Sequence, residues 1–292
     1  EFGGATRRAV LAFQQAQKLK ANGSVGPETW KALGTLVTSD PPVPDPDVVN
    51  AEKLTRAPAD ALDGPPHVTC KAWGIADGKT GKLLWQHDAD RRLDFASTTK
   101  IMTAFVVLEQ VERDLAVLDE IVTFSQRADG TGGSSSRVRA GERLPVGELL
   151  YGLMLPSGND ASVALAEHFG KRFAPVKGAK PDQEADPLER FLAEMNRTAR
   201  RLGMKQTHYR NPHGLTAKGH RATVHDLLKL AQAAWKIPRF RTYVGTRQHG
   251  FRLVGPGGRQ RNIVWRNSSI SLEVETSLSH SFRLIAWAQY SS

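Results

Sequence analysis

The sequence predicts an α+β domain with a small all-α unit ahead of it, and three observations carry that expectation. Strand-like runs stand near residues 68–86 and again near 281–290. Between them, five stretches repeat apolar residues at three and four positions: Thr99 to Val111, Val146 to Leu155, Asp160 to Phe169, Leu188 to Leu202 and Val224 to Trp235. That is the period of a helix burying one face. Ahead of both lies a proline-rich stretch that separates a short helical pair from the rest. Helices enclosed by two strand-forming ends fit an antiparallel sheet packed against helices, with the first and last strands as neighbours.

At the front, Ala5 to Gln17 carries Val10, Leu11 and Phe13 on a helical stripe. The run Ala21-Asn22-Gly23-Ser24-Val25-Gly26 breaks it, and Pro27 suits the first position of a second short helix that Gly34 closes. Residues 38–66 hold Pro41, Pro42, Pro44, Pro46, Pro58, Pro65 and Pro66, which is incompatible with a helix and too polar for a core, so the segment reads as a semi-extended tether. The expected division is therefore 1–37, a helical unit; 38–66, a linker; and 67–292, the main domain. In the main domain, Ala72 to Ala76 and Leu83 to Trp85 read as strands joined by a hairpin turn at Asp77-Gly78-Lys79-Thr80-Gly81. Pro156 stops the helix that begins at Val146.

A chain of 292 residues with 40% hydrophobic content can bury a substantial core, which excludes disordered and fibrous classes. No apolar run is long enough to span a membrane, and the chain begins at Glu1 with no signal peptide pattern. A lone Cys70 excludes an internal disulfide and reads as small core filler. The formal charge of +10 suits an anionic partner, yet the basic residues are scattered and no nucleic-acid module accompanies them. The nine histidines show no metal-ligand spacing.

Ser97-Thr98-Thr99-Lys100 stands at the start of the first apolar helix. Three residues apart, Ser97 and Lys100 share a face one turn from each other, so the amine can reach the hydroxyl. The positive potential of a helix N-terminus, together with burial, disfavours the ammonium form, as a lysine acting as base near neutral pH requires. Ser157-Gly158-Asn159 follows the second helix in a short loop that can present a hydroxyl and an amide to a cleft. Taken alone, the first string fits a helix cap with an exposed lysine, and the second a plain turn.

The surroundings add more. Phe95-Ala96-Ser97-Thr98-Thr99-Lys100-Ile101-Met102-Thr103, then Leu149-Leu150-Tyr151-Gly152-Leu153-Met154-Leu155-Pro156-Ser157-Gly158-Asn159-Asp160-Ala161, then Asn211-Pro212-His213-Gly214-Leu215 closely resemble, in that order, the serine D-alanyl-D-alanine carboxypeptidases, the low-molecular-mass penicillin-binding proteins. The likeness runs from about Val68 to Trp265 and includes Gly203-Met204 and Thr223-Val224-His225-Asp226. It implies a penicillin-binding-protein/β-lactamase-like transpeptidase domain. It also implies that Ser97 attacks the penultimate D-alanine carbonyl of a peptidoglycan stem peptide, that Lys100 takes its proton, that Ser157 relays a proton to the leaving amine, and that Asn159 holds Lys100 and the substrate amide. No cofactor is implied, penicillins are the expected inhibitors, and the expected location is extracytoplasmic. At the front, Arg7 to Gln14 with Gly23 to Trp30 resembles a small peptidoglycan-binding domain without its usual first helix.

The family's third motif, Lys-Thr-Gly, follows the second by about a hundred residues and binds the substrate's terminal carboxylate. Lys79-Thr80-Gly81 precedes the nucleophile and is not that motif. In the expected place, after Trp265-Arg266-Asn267-Ser268, the chain reads Glu275-Thr276-Ser277. A carboxylate in that slot would repel the substrate's own. Three functions follow: a D,D-carboxypeptidase or endopeptidase, a wall-binding protein with an impaired catalytic cleft, and a β-lactamase. The last ranks lowest, because no Glu-x-x-Leu-Asn string is present.

Overall fold

A computed structural model of the protein describes residues 4–33, 70–78, 80–175, 186–267 and 283–287. The chain divides into two compact units, Glu1–Pro42 and Val43–Ser292. The predicted linker, residues 38–66, lies outside the described residues.

The first unit is a helical pair, α1 (Gly4–Ala16) and α2 (Pro27–Leu33). Its connection is organised by one buried polar side chain, Gln14. The Gln14 amide donates to Asn22 Oδ1 (3.1 Å), the Ser24 carbonyl (2.8 Å) and Thr29 Oγ1 (3.1 Å), and its oxygen accepts from the backbone N–H groups of Asn22 and Gly23. A buried amide is tolerated when so fully satisfied, and here it fixes the turn between the helices. Trp30 of α2 stays 54% exposed.

The second unit carries two antiparallel sheets and a helical core. β1 (Trp73–Asp77) lies between β2 (Leu83–His87) and β7 (Arg283–Trp287), with Trp73 opposite both His87 and Trp287. The expected pairing of the first and last strands is thus present. The hairpin at Asp77 also forms as read: Asp77 Oδ1 accepts from the Thr80 N–H and hydroxyl at 2.7 Å, and Gly81 supplies a φ of 73°. Lys79 lies outside the described residues. A second sheet has the order β3 (Ile121–Thr123), β4 (Arg143–Pro145), β5 (Gln248–Val254), β6 (Gln260–Arg266).

Between the sheets' sequences run α3 (Thr99–Arg113), the short α4 (Gln126–Asp129), α5 (Val146–Met154), α6 (Asn159–Gly170), α7 (Pro187–Arg201), α8 (Val224–Trp235) and α9 (Pro238–Gly245). α3 is apolar on nearly all sides, burying Met102, Ala104, Phe105, Val106, Val107, Leu108 and Val111, which marks it as the central helix. Each such large side chain contributes about 1.5–3 kcal/mol by leaving water. α8 presses on β1 so closely that a Cβ at Gly74 would stand 2.8 Å from Val224 Cγ1. Asp186 and Thr223 cap α7 and α8 through their side chains. The five predicted helices match to within two residues at each end. The β5–β6 hairpin and α9 were not foreseen, since both strands are largely half-exposed and polar, with Leu253, Ile263 and Trp265 as their buried anchors.

Candidate active site

Ser97 sits exposed in a tight turn, Ala96–Thr98, that runs directly into α3. Ala96 holds a φ of 40°, a left-handed conformation costly for a residue with a side chain. Three contacts hold the turn there. Phe95, fully buried, stacks on the His220 ring at 4.4 Å. His220 Nδ1 accepts the Arg210 N–H at 3.0 Å, so Nε2 carries the proton and donates to Thr99 Oγ1 at 2.9 Å. Burial, helped by neighbouring His213 and His208, pushes the His220 pKa down to about 4, so the ring stays neutral and this tautomer persists. The third contact is Gly214, whose φ is 97° and where any Cβ would meet the Ala96 carbonyl oxygen at 1.9 Å.

Lys100, in the first turn of α3, is 3% exposed. Its Nζ donates to Ser97 Oγ at 3.0 Å and to the His213 carbonyl at 2.8 Å. Burial lowers its pKa to about 7, against the opposing pull of the Asp160 carboxylate. A neutral amine is thereby accessible near neutrality beside a hydroxyl it can deprotonate. The segment Asn211 to Leu215 is fastened to α3 a second time, by Thr103 Oγ1 donating to the Pro212 carbonyl at 2.7 Å. Asn211 Oδ1 shapes it from within by accepting the Gly214 N–H at 2.6 Å. Burial and the Lys100 charge hold the His213 imidazole at about 4, so His213 serves through its carbonyl while its ring stays uncharged.

Ser157 occupies the loop between α5 and α6 with a φ of 59°. Gly158 follows where a Cβ would strike the Gly152 carbonyl at 2.6 Å, so the loop is packed too tightly for a side chain. Asn159 opens α6 and is buried; its amide donates to the Gly132 carbonyl at 2.8 Å and its backbone N–H to the Ser134 carbonyl at 2.7 Å. Asp160, also buried, accepts from Ser135 Oγ, the Ser136 N–H and Ser136 Oγ at 2.7–2.9 Å. The strip Gly132 to Ser136 therefore forms one wall of the loop. Ser97 and Lys100 are in hydrogen-bond contact, as their spacing predicted. The bonds of Lys100 go to Ser97 and His213, and the Asn159 amide goes to Gly132. Glu275, Thr276 and Ser277 lie outside the described residues.

Sequence reasoning missed Thr99, Thr103, Asp160, His220 and the Gly132 to Ser136 strip. Gly132-Gly133-Ser134-Ser135-Ser136 is a glycine-serine run in the sequence, but nothing in it names Asn159 as its partner. Among the described residues no group of three or more His, Cys, Asp or Glu could hold a metal ion.

A protein-family model described as D-alanyl-D-alanine carboxypeptidase matches residues 59–279. The chain belongs to that family. A second model, a putative peptidoglycan binding domain, matches residues 1–33. The D-alanyl-D-alanine carboxypeptidase of Streptomyces sp. strain K15 is 32% identical over 82% of this chain and 77% of its own. A D-alanyl-D-alanine carboxypeptidase of Bacillus subtilis is 34% identical over 59% of this chain, which spans only 40% of that relative. Among solved structures, the Streptomyces K15 DD-transpeptidase superposes with a TM-score of 0.61 at 33% identity, covering 71% of this chain and 79% of that one. A mutant of the same enzyme gives 0.67 at 28% identity over 78% and 93%. The family resemblance and the transpeptidase-like α+β fold read from the sequence are both borne out.

Proposed function

We propose that the chain is a serine D-alanyl-D-alanine carboxypeptidase that works through an acyl-enzyme on Ser97. The observation that carries this is the 3.0 Å contact between Ser97 Oγ and a buried Lys100 amine with a pKa of about 7. The neutral amine takes the Ser97 proton as Oγ attacks the penultimate D-alanine carbonyl, forming a tetrahedral oxyanion that backbone N–H groups stabilise. Collapse breaks the amide bond. The proton passes from Lys100 through the Ser157 hydroxyl to the departing D-alanine nitrogen, and Asn159 borders the substrate amide. Water, deprotonated by the same lysine, then hydrolyses the ester and returns Ser97. A penicillin acylates Ser97 by the same attack, its opened ring remaining attached as an ester.

The substrate is the peptidoglycan stem peptide. The unit at residues 1–42 binds the same wall, which raises the local concentration of the catalytic unit there. An extracytoplasmic location goes with that reading, since its substrate lies there; separately, among the described residues no helix is long and apolar enough to cross a membrane.

A second reading rests on Glu275. With glutamate in the slot of the carboxylate-binding lysine, acylation by a penicillin proceeds but peptide turnover is impaired. Incubation of the protein with a fluorescent penicillin, followed by peptide mass spectrometry, tests the first step. An adduct on Ser97 that disappears in Ser97→Ala supports it; folded protein with no adduct refutes the enzyme reading. The second reading predicts that Glu275→Lys combined with Ser277→Gly raises hydrolysis of a D-Ala-D-Ala peptide at least tenfold, an order-of-magnitude expectation for restoring one charge-assisted contact.

A further inference from the structure

On the second unit, three short segments lie side by side away from either named sheet. Leu93 pairs with Ala222 and His208 pairs with Arg221. Asn196 of α7 clasps Tyr209 with both ends of its amide, donating to the carbonyl at 3.0 Å and accepting the N–H at 2.9 Å. This arrangement puts Arg92, His208 and Arg210 on adjoining segments, with Arg200 one turn beyond Asn196 on the same face of α7. The Arg210 guanidinium lies back over Gly219, its Nε 3.5 Å from where a Cβ would begin.

Arg92, Arg200 and Arg210 are all exposed, and among the described residues none of their guanidinium groups has a hydrogen-bond or ion-pair partner. Nearby arginines differ: Arg91 pairs with Asp88, Arg197 with Glu194, Arg201 with Glu109, and Arg221 with Asp94. Their charges also reach His208. Burial first, then Arg210, Arg200 and Arg92, holds its imidazole below the usual range. Three like charges gathered without a counter-charge repel one another and add nothing to folding, but they match a ligand carrying several negative groups.

We infer that Arg92, Arg200 and Arg210 form a docking surface for a phosphate-bearing polymer beside the candidate active site. Guanidinium forks bind phosphate oxygens in pairs, and three of them suit successive phosphates along a chain. A membrane surface fits less well: among the described residues the exposed large apolar side chains are Trp30, Leu33, Leu84, Leu115, Ile121, Leu215, Val254 and Val264, and none belongs to the segments carrying the arginines. For the same reason no aromatic platform is present there for the stacking that single-stranded nucleic acid uses. In the chain Arg92 shortly precedes Ser97 and Arg210 shortly precedes His213, so the segments that carry these arginines lead into the nucleophile's turn and into the segment that holds Lys100.

The full-length chain would be titrated with long-chain inorganic polyphosphate by calorimetry at several salt concentrations, with the His208 ring followed by NMR. Two triple variants are compared. R92Q/R200Q/R210Q removes the unpaired charges, and R91Q/R197Q/R239Q removes three that are already paired. The first is expected to lose about tenfold or more in affinity and to flatten the slope of log K against log salt by roughly two, at about 0.7 per lost contact. The second should lose little. Polyphosphate should raise the His208 pKa in the parent protein and leave it unmoved in the first variant. Equal losses in both triples, or binding without any change at His208, would overturn the assignment. So would tighter binding to phosphatidylglycerol vesicles or to a DNA oligonucleotide than to polyphosphate. Thermal melts check that both variants are folded.

Discussion

Burying the Lys100 amine costs the folded state free energy wherever the unfolded chain would keep that amine charged. Its pKa falls from the ordinary lysine value to about 7, a shift on the order of 4–5 kcal/mol. Below pH 7 the folded protein holds an ammonium in that site and bears the full cost. Between pH 7 and the unfolded value near 10 the unfolded chain binds the extra proton, so the cost fades as pH rises. Lys100→Met is therefore expected to raise the melting temperature at pH 6 by roughly 10 °C, with the gain shrinking by pH 9. Penicillin acylation should conversely rise with pH around an apparent pKa of 7. Asp160→Asn removes the one charge that favours the ammonium, so it should move that profile to lower pH, readable from acylation rates between pH 5 and 8. At this scale the sequence disclosed Ser97 and Lys100, because a three-residue spacing on a helix is a geometric statement. It could not disclose the His213 carbonyl as the lysine's second partner, because every residue has a carbonyl and only the fold aims this one.

Two elements interlock at the nucleophile: the Ala96–Thr98 turn and the Asn211 to Leu215 segment. Gly214 fills the contact with no room for a methyl group, so Gly214→Ala must displace one element or the other. The expected result is a loss of 2–4 kcal/mol, an order-of-magnitude figure for overpacking with left-handed strain, and a fall in acylation of about tenfold or more that exceeds any loss explained by unfolding at the assay temperature. Melting curves and acylation rates on the same preparation separate the two. In the first unit Gln14 plays the organising part. Gln14→Leu leaves the Asn22 and Gly23 N–H groups and Thr29 short of a partner, at a cost of about 2–3 kcal/mol, which should melt this small unit first and show as a separate early transition in calorimetry. Helices were legible because apolar residues recur at their own period along α3, α5 and α8. The β5–β6 hairpin was not, although Gly255-Pro256-Gly257-Gly258 marks its turn, because its half-exposed strands mix arginine and glutamine into the alternation that would announce them.

Across the whole molecule, the two matched families point at one insoluble target, and Trp30 is the largest exposed apolar side chain of the first unit. Trp30→Ala should weaken retention of the full chain on isolated peptidoglycan while leaving soluble penicillin acylation unchanged, as a pelleting assay beside the fluorescent label would show. The composition made the basic character plain, but not that Arg92, Arg200 and Arg210 stand on adjoining segments; they are distant in sequence, and two backbone bridges and the Asn196 side chain join the segments that carry them. That β1 is flanked by β7 as well as β2 has a temporal meaning. A ribosome delivers Trp73 to Asp77 long before Arg283 to Trp287, and until the latter emerges one edge of β1 has unpaired amides that could recruit a strand from any neighbouring chain. Until β7 emerges, the newborn polypeptide thus remains unfinished and vulnerable to aggregation. A chain that cannot close prematurely is also one that can still be threaded through a narrow channel.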